Sequence, residues 1–380
     1  MSVASPFLSE TMQTHGAPKY RRLIKTAIIL AAAMGVTGVV SASPGERYVQ
    51  KNLASDVSVV GRAVNSNLVN PWGLAQTPSG RWWVASNDKG VIALSTGNGL
   101  PYPASAPLIV TVPLPEGLAG IPSAPTGIAL NNSADFIVAA GKPAKVICVT
   151  EDGTISGWNP EVDEYHAVLV VDKSTEAVYK GVTLGRMHGR NYLYAANFWA
   201  GTIDVFDAYF HQVDLPEGAF VDSLLPQDFA PSNVRNINGK IYVAYAQQDA
   251  DSYGAVRGAG LGYVTVYDET GKLLARLKSG PELNVPWGMA LAPPGFGKYG
   301  DMLLVGNAGN GTIAAYDPAT GEFKGLLEGE KGYLITIQGL RGIAVGNSAK
   351  DTAAPLYFCA GIDEEEHGLF GLLKPGGPGK

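Results

Sequence analysis

The strongest constraint on this 380-residue chain is a phrase that returns at a nearly fixed interval. Asn70-Pro71-Trp72-Gly73-Leu74-Ala75 is followed by Pro125-Thr126-Gly127-Ile128-Ala129-Leu130, Tyr179-Lys180-Gly181-Val182 and Ala230-Pro231-Ser232-Asn233-Val234. Val285-Pro286-Trp287-Gly288-Met289-Ala290 and Leu340-Arg341-Gly342-Ile343-Ala344 complete the series. With Gly73, Gly127, Gly181, Asn233, Gly288 and Gly342 as anchors, the steps are 54, 54, 52, 55 and 54 residues. That interval accommodates four short strands and their turns, the unit of a β-propeller blade, so six anchors predict six blades.

Each interval supplies short segments rich in Val, Ile, Tyr and Phe, bounded by Gly, Asn, Asp and Pro, without a helical stripe. The clearest strands follow a turn glycine, as in Gly201-Thr202-Ile203-Asp204-Val205-Phe206-Asp207 and Gly311-Thr312-Ile313-Ala314-Ala315-Tyr316-Asp317. Second strands are expected just before it, at 82–86, 146–150, 192–196, 241–246, 302–306 and 356–360. Outer strands are expected at 108–112, 167–172, 220–224, 272–277 and 322–327. The sixth interval has no chain left for a fourth strand, whereas residues 48–53 belong to no interval. The expected fold is therefore an all-β, six-bladed propeller of four-stranded blades over 43–375, closed by the N-terminal strand in the last blade.

Ahead of this domain, Tyr20-Arg21-Arg22-Leu23-Ile24-Lys25 precedes an apolar stretch closed by Val40-Ser41-Ala42, which reads as a cleaved signal peptide over 1–42. Export by the general secretory route, or by the twin-arginine route that the arginine pair suggests, is expected, with no membrane anchor after cleavage. Residues 376–380 read as a disordered tail, and the product as a monomer. Removing residues 1–42 takes away a net charge of +3, from Lys19, Arg21, Arg22 and Lys25 against Glu10, and moves the chain from −6 to −9. No basic run offsets that balance, which argues against nucleic acid as a partner. Cys148 and Cys359 fall in apolar strand patterns of different blades and are expected to be buried free thiols.

Loops joining second to third strands, and those entering first strands, share one face of a propeller, here the top face. They bring Asn87, Glu151, Asn197, Trp199, Gln248, Asp249 and Asn307 forward as ligand-binding candidates. Converging oxygens suit calcium or the hydroxyls of a sugar, although Asn, Asp and Gly are also what tight turns require. The stretch 247–261 is the largest departure from blade regularity, and its glycines allow it to fold over the channel mouth. Asp249 and Asp251 are its candidate metal ligands, and Glu366 and His367 are the candidate acid–base pair. Trp72 and Trp287, at equivalent register positions, suit either ring stacking on a ligand or sealing between blades.

Four phrases carry a resemblance: Leu68-Val69-Asn70-Pro71-Trp72-Gly73, Glu151-Asp152-Gly153-Thr154-Ile155-Ser156-Gly157-Trp158-Asn159, Ala246-Gln247-Gln248-Asp249 and His367-Gly368-Leu369-Phe370-Gly371. In these the chain resembles a family of uncharacterised exported proteins with six-bladed propellers, and more distantly NHL repeats and calcium-dependent lactonases of the gluconolactonase type. Two functions follow as expectations. One is an exported binding protein for an extracellular carbohydrate, small molecule or protein on the top face. The other is a metal-assisted hydrolase or lactonase with a divalent ion, calcium foremost, near the channel.

Overall fold

The computed structural model describes residues 47–346 and 353–376. These residues form one compact unit. The predicted signal peptide, and the predicted tail beyond Gly376, lie outside the described residues.

Six sheets, antiparallel except for the parallel edge strand Ala63–Val64, follow one another as blades I to VI, as the repeat requires. Blade I comprises Pro71–Gln76, Trp82–Ser86, Val91–Ser95 and Ile109–Thr111, and blade II Pro125–Leu130, Val146–Thr150, Thr154–Trp158 and Val168–Asp172. Blade III holds Tyr179–Met187, Arg190–Asn197 and Thr202–Phe206. Blade IV holds Phe229–Ile237, Lys240–Gln247, Gly262–Tyr267 and Leu273–Arg276, and blade V Pro286–Leu291, Leu303–Asn307, Ile313–Tyr316 and Phe323–Leu326. Blade VI pairs Leu340–Val345, Leu356–Ile362 and His367–Pro375 with the N-terminal strand Tyr48–Ser55, and short Ala63–Val64 extends that sheet.

The anchor residues are small because the inner strands meet there. A Cβ on Gly127 would lie 2.6 Å from the Val182 nitrogen of blade III, and one on Gly288 2.6 Å from the Arg341 carbonyl of blade VI. One on Gly342 would lie 2.5 Å from the Trp72 carbonyl of blade I, so the squeeze runs round the ring from each blade to the next. Blade IV breaks the rule informatively. Asn233 replaces glycine and donates from Nδ2 to the Trp287 carbonyl of blade V at 2.6 Å. Its Oδ1 accepts from the Val234 amide at 2.8 Å, so the amide spans the gap with both ends satisfied.

Between blades, apolar clusters from the outer parts of neighbouring sheets form the core. Ring closure adds Tyr48, whose buried hydroxyl donates to the Phe296 carbonyl of blade V at 3.0 Å while its ring stacks on Tyr299. Both cysteines are free and buried, and Cys359 Sγ donates to the Trp72 carbonyl across the blade VI–blade I seam at 2.8 Å. Burial pushes the Cys359 thiol up to about 12, so it stays protonated and keeps that bond.

One strand expectation fails. Residues 220–224 are not the outer strand of blade III, which has three strands. Phe220 takes a left-handed backbone, hydrogen-bonds through its amide to the Gly271 carbonyl of blade IV, and packs its ring on Tyr194 and Tyr267. Asp222 is buried beneath the Arg276 guanidinium and accepts from Thr265 Oγ1 at 3.0 Å. The segment is thereby committed to blade IV, and Gln212 and Val213 take up the outer edge of blade III instead.

Candidate functional site

The register position just before each anchor carries Trp72, Thr126, Lys180, Ser232, Trp287 and Arg341, and all six are buried at the top of the channel. Two of them are cations. Lys180 is 6% and Arg341 8% exposed, and charges so placed need partners. Lys180 Nζ pairs with Glu151 Oε1 at 3.2 Å, and Arg341 Nη2 with Glu365 Oε1 at 2.7 Å. Trp72 stands between the two pairs, with the Arg341 guanidinium 4.0 Å and Lys180 Nζ 5.5 Å from its ring. Asn87 Nδ2 donates to Glu151 Oε2 at 3.1 Å, and Asn70 Oδ1 accepts from Trp72 Nε1 at 3.1 Å. Trp287 meets Trp72 edge-on with ring centroids 5.9 Å apart, so these two tryptophans seal the mouth and offer no open stacking face.

Glu365 ends a run of three left-handed residues, Asp363, Glu364 and Glu365, with φ of 53°, 56° and 74°. Side chains other than glycine adopt that conformation at a cost of about 1–3 kcal/mol each. Here it delivers the Glu365 carboxylate to Arg341 and to Arg257 Nη2, the latter at 3.4 Å.

Arg257 belongs to the segment after Gln247, which lies across the mouth as its glycines suggest. Asp249 closes the turn by accepting the Tyr253 amide at 3.1 Å and the Gly254 amide at 3.0 Å. Tyr253 then faces Lys180 at 5.7 Å, Ala255 packs on the Trp72–Trp287 cluster, and Arg257 reaches Glu365. Gln248 Nε2 donates to the Phe198 carbonyl at 2.6 Å and the Trp199 carbonyl at 3.3 Å, tying the segment to the blade III loop.

The candidates from sequence thus divide. Asn87 and Glu151 meet in the mouth, and Gln248 and Trp199 sit at its rim, with Trp199 43% exposed. Asn197 and Asn307 cap their own loops: Asn197 Nδ2 donates to the Glu176 carbonyl and Asp204, and Asn307 Nδ2 to the Glu282 carbonyl and Thr312 Oγ1. Asp249 spends both oxygens on backbone amides, while Asp251 is exposed. Among the described residues no group of three or more His, Cys, Asp or Glu is placed to hold a metal ion. Lys180, Arg341, Glu365 and Arg257 were not among the candidates. The signal for two of them was a charge at a register position that is Trp, Thr or Ser in every other blade.

His367 lies at the ring-closing seam. Its Nδ1 is 2.7 Å from Asp56 Oδ2, while Asp56 Oδ1 accepts the Gly368 amide at 2.8 Å. The hydrogen bond to Asp56 holds the imidazole above the ordinary histidine range. A raised folded-state value stabilises the fold below the unfolded value of about 6.5 and withdraws that stabilisation as pH rises through the folded value. The melting temperature should accordingly fall with rising pH across that window. His367→Gln should flatten this part of the profile, and an unchanged profile would refute the latch.

No protein-family model matches the chain. "Uncharacterized protein L690" of Acanthamoeba polyphaga mimivirus is 31% identical over 334 residues, covering 84% of both chains. This chain belongs to the L690 family. "Uncharacterized protein R648" of the same virus is 31% identical over 318 residues, covering 81% of this chain and 75% of the relative. Among solved structures, a protein of unknown function from Bacteroides thetaiotaomicron matches with a TM-score of 0.51 at 10% identity, covering 87% of this chain and 73% of that one. A streptogramin B lyase structure has a TM-score of 0.49 at 12% identity, over 87% of this chain and 99% of that one. At 10% identity the Bacteroides thetaiotaomicron structure supports the fold, and the fold alone.

Proposed function

We propose that this L690-family protein is an exported binding protein that holds a carbohydrate or a similar small polyhydroxylated molecule at its top-face mouth. The observation that carries the reading is Arg341, buried under the Tyr253–Arg257 segment with its Nε unpartnered while its Nη2 is paired to Glu365. Leaving such a donor unmet costs about 1–3 kcal/mol, so the arrangement favours a ligand acceptor. Next to it stand acceptors, Glu151 and Glu365, and further donors, Lys180 and Arg257. A hydroxyl both donates and accepts, and is the group suited to such alternation. Trp199, exposed at the rim, adds a face on which a sugar ring can stack. Export rests on the N-terminal segment.

Calorimetry and thermal shift against neutral sugars, oligosaccharides and sugar acids test this. Trp199 and Arg257 are exposed, so Trp199→Ala and Arg257→Ala should leave the melting temperature within about 2 °C while weakening binding roughly tenfold, about 1.4 kcal/mol. The reading fails if nothing in the panel binds, or if a bound sugar ignores both substitutions.

A further inference from the structure

We infer that the axial cavity at the waist of the ring binds a small inorganic anion of halide size, chloride in particular. The site lies apart from the mouth's ion pairs, shares only Trp287 with the mouth and is independent of any sugar. The cavity has a volume of about 20 Å³ and is walled by the inner strands of all six blades. That is room for roughly one water-sized sphere, which excludes organic acids and nucleotides.

Its wall is mostly glycine backbone and apolar side chains such as Leu74, Ile128, Val182, Met289 and Ile343. Three polar side chains interrupt it. Asn233 is spent on the Trp287 carbonyl and the Val234 amide. Trp287 is 5% exposed and its Nε1 has no partner. Arg235, the third, is half-buried, its side chain makes no ion pair or hydrogen bond among the described residues, and desolvation alone holds its guanidinium below the ordinary arginine range. No carboxylate contributes to its environment.

The register makes Arg235 conspicuous. Two residues after the anchor the other blades carry Ala75, Ala129, Thr183, Ala290 and Ala344, all small and buried. An alanine would complete the pattern without placing a charge on the cavity wall. Instead the chain places a cation on the lining of the same cavity as an indole N–H, and both groups can only donate. Water there leaves the positive charge uncompensated, whereas a monatomic anion accepts from both donors and neutralises it.

Two measurements on the intact protein decide the matter. Crystals grown in bromide should show an anomalous peak at the waist beside Arg235 and Trp287. At constant ionic strength, replacing gluconate by chloride should raise the melting temperature with saturation, as for any ligand of the native state alone. Arg235→Met keeps the side-chain length and should abolish both the bromide peak and the chloride dependence. Trp287→Phe, removing only the indole donor, should weaken the chloride response several-fold and serves if the methionine variant does not fold. Bromide found only on the outer surface, or a chloride response identical in wild type and the variants, overturns the assignment.

Discussion

A chain shortened to begin at Val57 should show no cooperative thermal transition, and a synthetic peptide spanning residues 47–56 should restore one when added in excess. The strand Tyr48–Ser55 pairs along its length with His367–Pro375 and buries Tyr48, Leu53 and Ala54. Each large apolar side chain is worth about 1.5–3 kcal/mol. Tyr48 also contributes its bond to Phe296 and its stacking on Tyr299, both in blade V, so two blade contacts fail together. The sum approaches the roughly 5–15 kcal/mol that holds a typical domain folded, and the loss leaves the edge of His367–Pro375 open to association. Circular dichroism melting checks this. A shortened chain that melts as one transition within a few degrees of the full chain would show that the ring does not depend on this closure. Tyr48→Ala alone should cost about 3–5 kcal/mol.

The second large effect is expected at the waist. Gly127→Val and Gly342→Ala each drive a side chain against the backbone of the next blade, at 2.6 Å from the Val182 nitrogen and 2.5 Å from the Trp72 carbonyl. Backbone cannot rotate aside as a side chain does, so the cost should reach or exceed the ~1–3 kcal/mol typical of overpacking. In melting temperature that is on the order of 10 °C or a failure to fold. Gly97→Ala, where a new Cβ would meet the Tyr357 hydroxyl at 3.5 Å and the Gly80 carbonyl at 4.0 Å, both ordinary contacts, is the control and should shift it by no more than about 2 °C. Equal shifts for Gly342→Ala and Gly97→Ala would show that the anchors are not glycine for want of space.

These contacts also explain how far the sequence could be read. The anchor spacing was legible because every blade meets the next in the same squeeze, so geometry repeats as a residue type. Second strands such as Trp82–Ser86 and Val146–Thr150 were legible to their ends, since both faces are buried and the apolar run stops at a polar turn. The segment 220–224 misled because Phe220 and Asp222 owe their places to Tyr267 and Arg276, about 50 residues away, and local alternation carries no trace of that. The short hairpin Ile137–Ala139 and Lys142–Pro143, inserted between the first two strands of blade II, was missed for the same reason of local brevity.

At the site, loop composition drew attention to Asn197 and Asn307, which turned out to cap their own turns. Asn87 and Glu151, from the same loops, do reach the mouth, but the cations they and Glu365 meet come from strands and from Arg257. Lys180, Arg341 and Arg235 were visible as breaks in the register, charges where sister blades carry Ala, Thr, Ser or Trp. Their meaning needed the ring, because neighbours on the axis come from blades far apart in the chain.

The bond from Ser55 Oγ to the Gly368 carbonyl spans 313 residues. Because synthesis is vectorial, the strand Tyr48–Ser55 has to wait without its mate until blades I to V have been made, and during that delay they exist as an open arc. Closure of the circle is therefore a late, long-range event, and the five blades made before it must hold their shape with one seam unsewn.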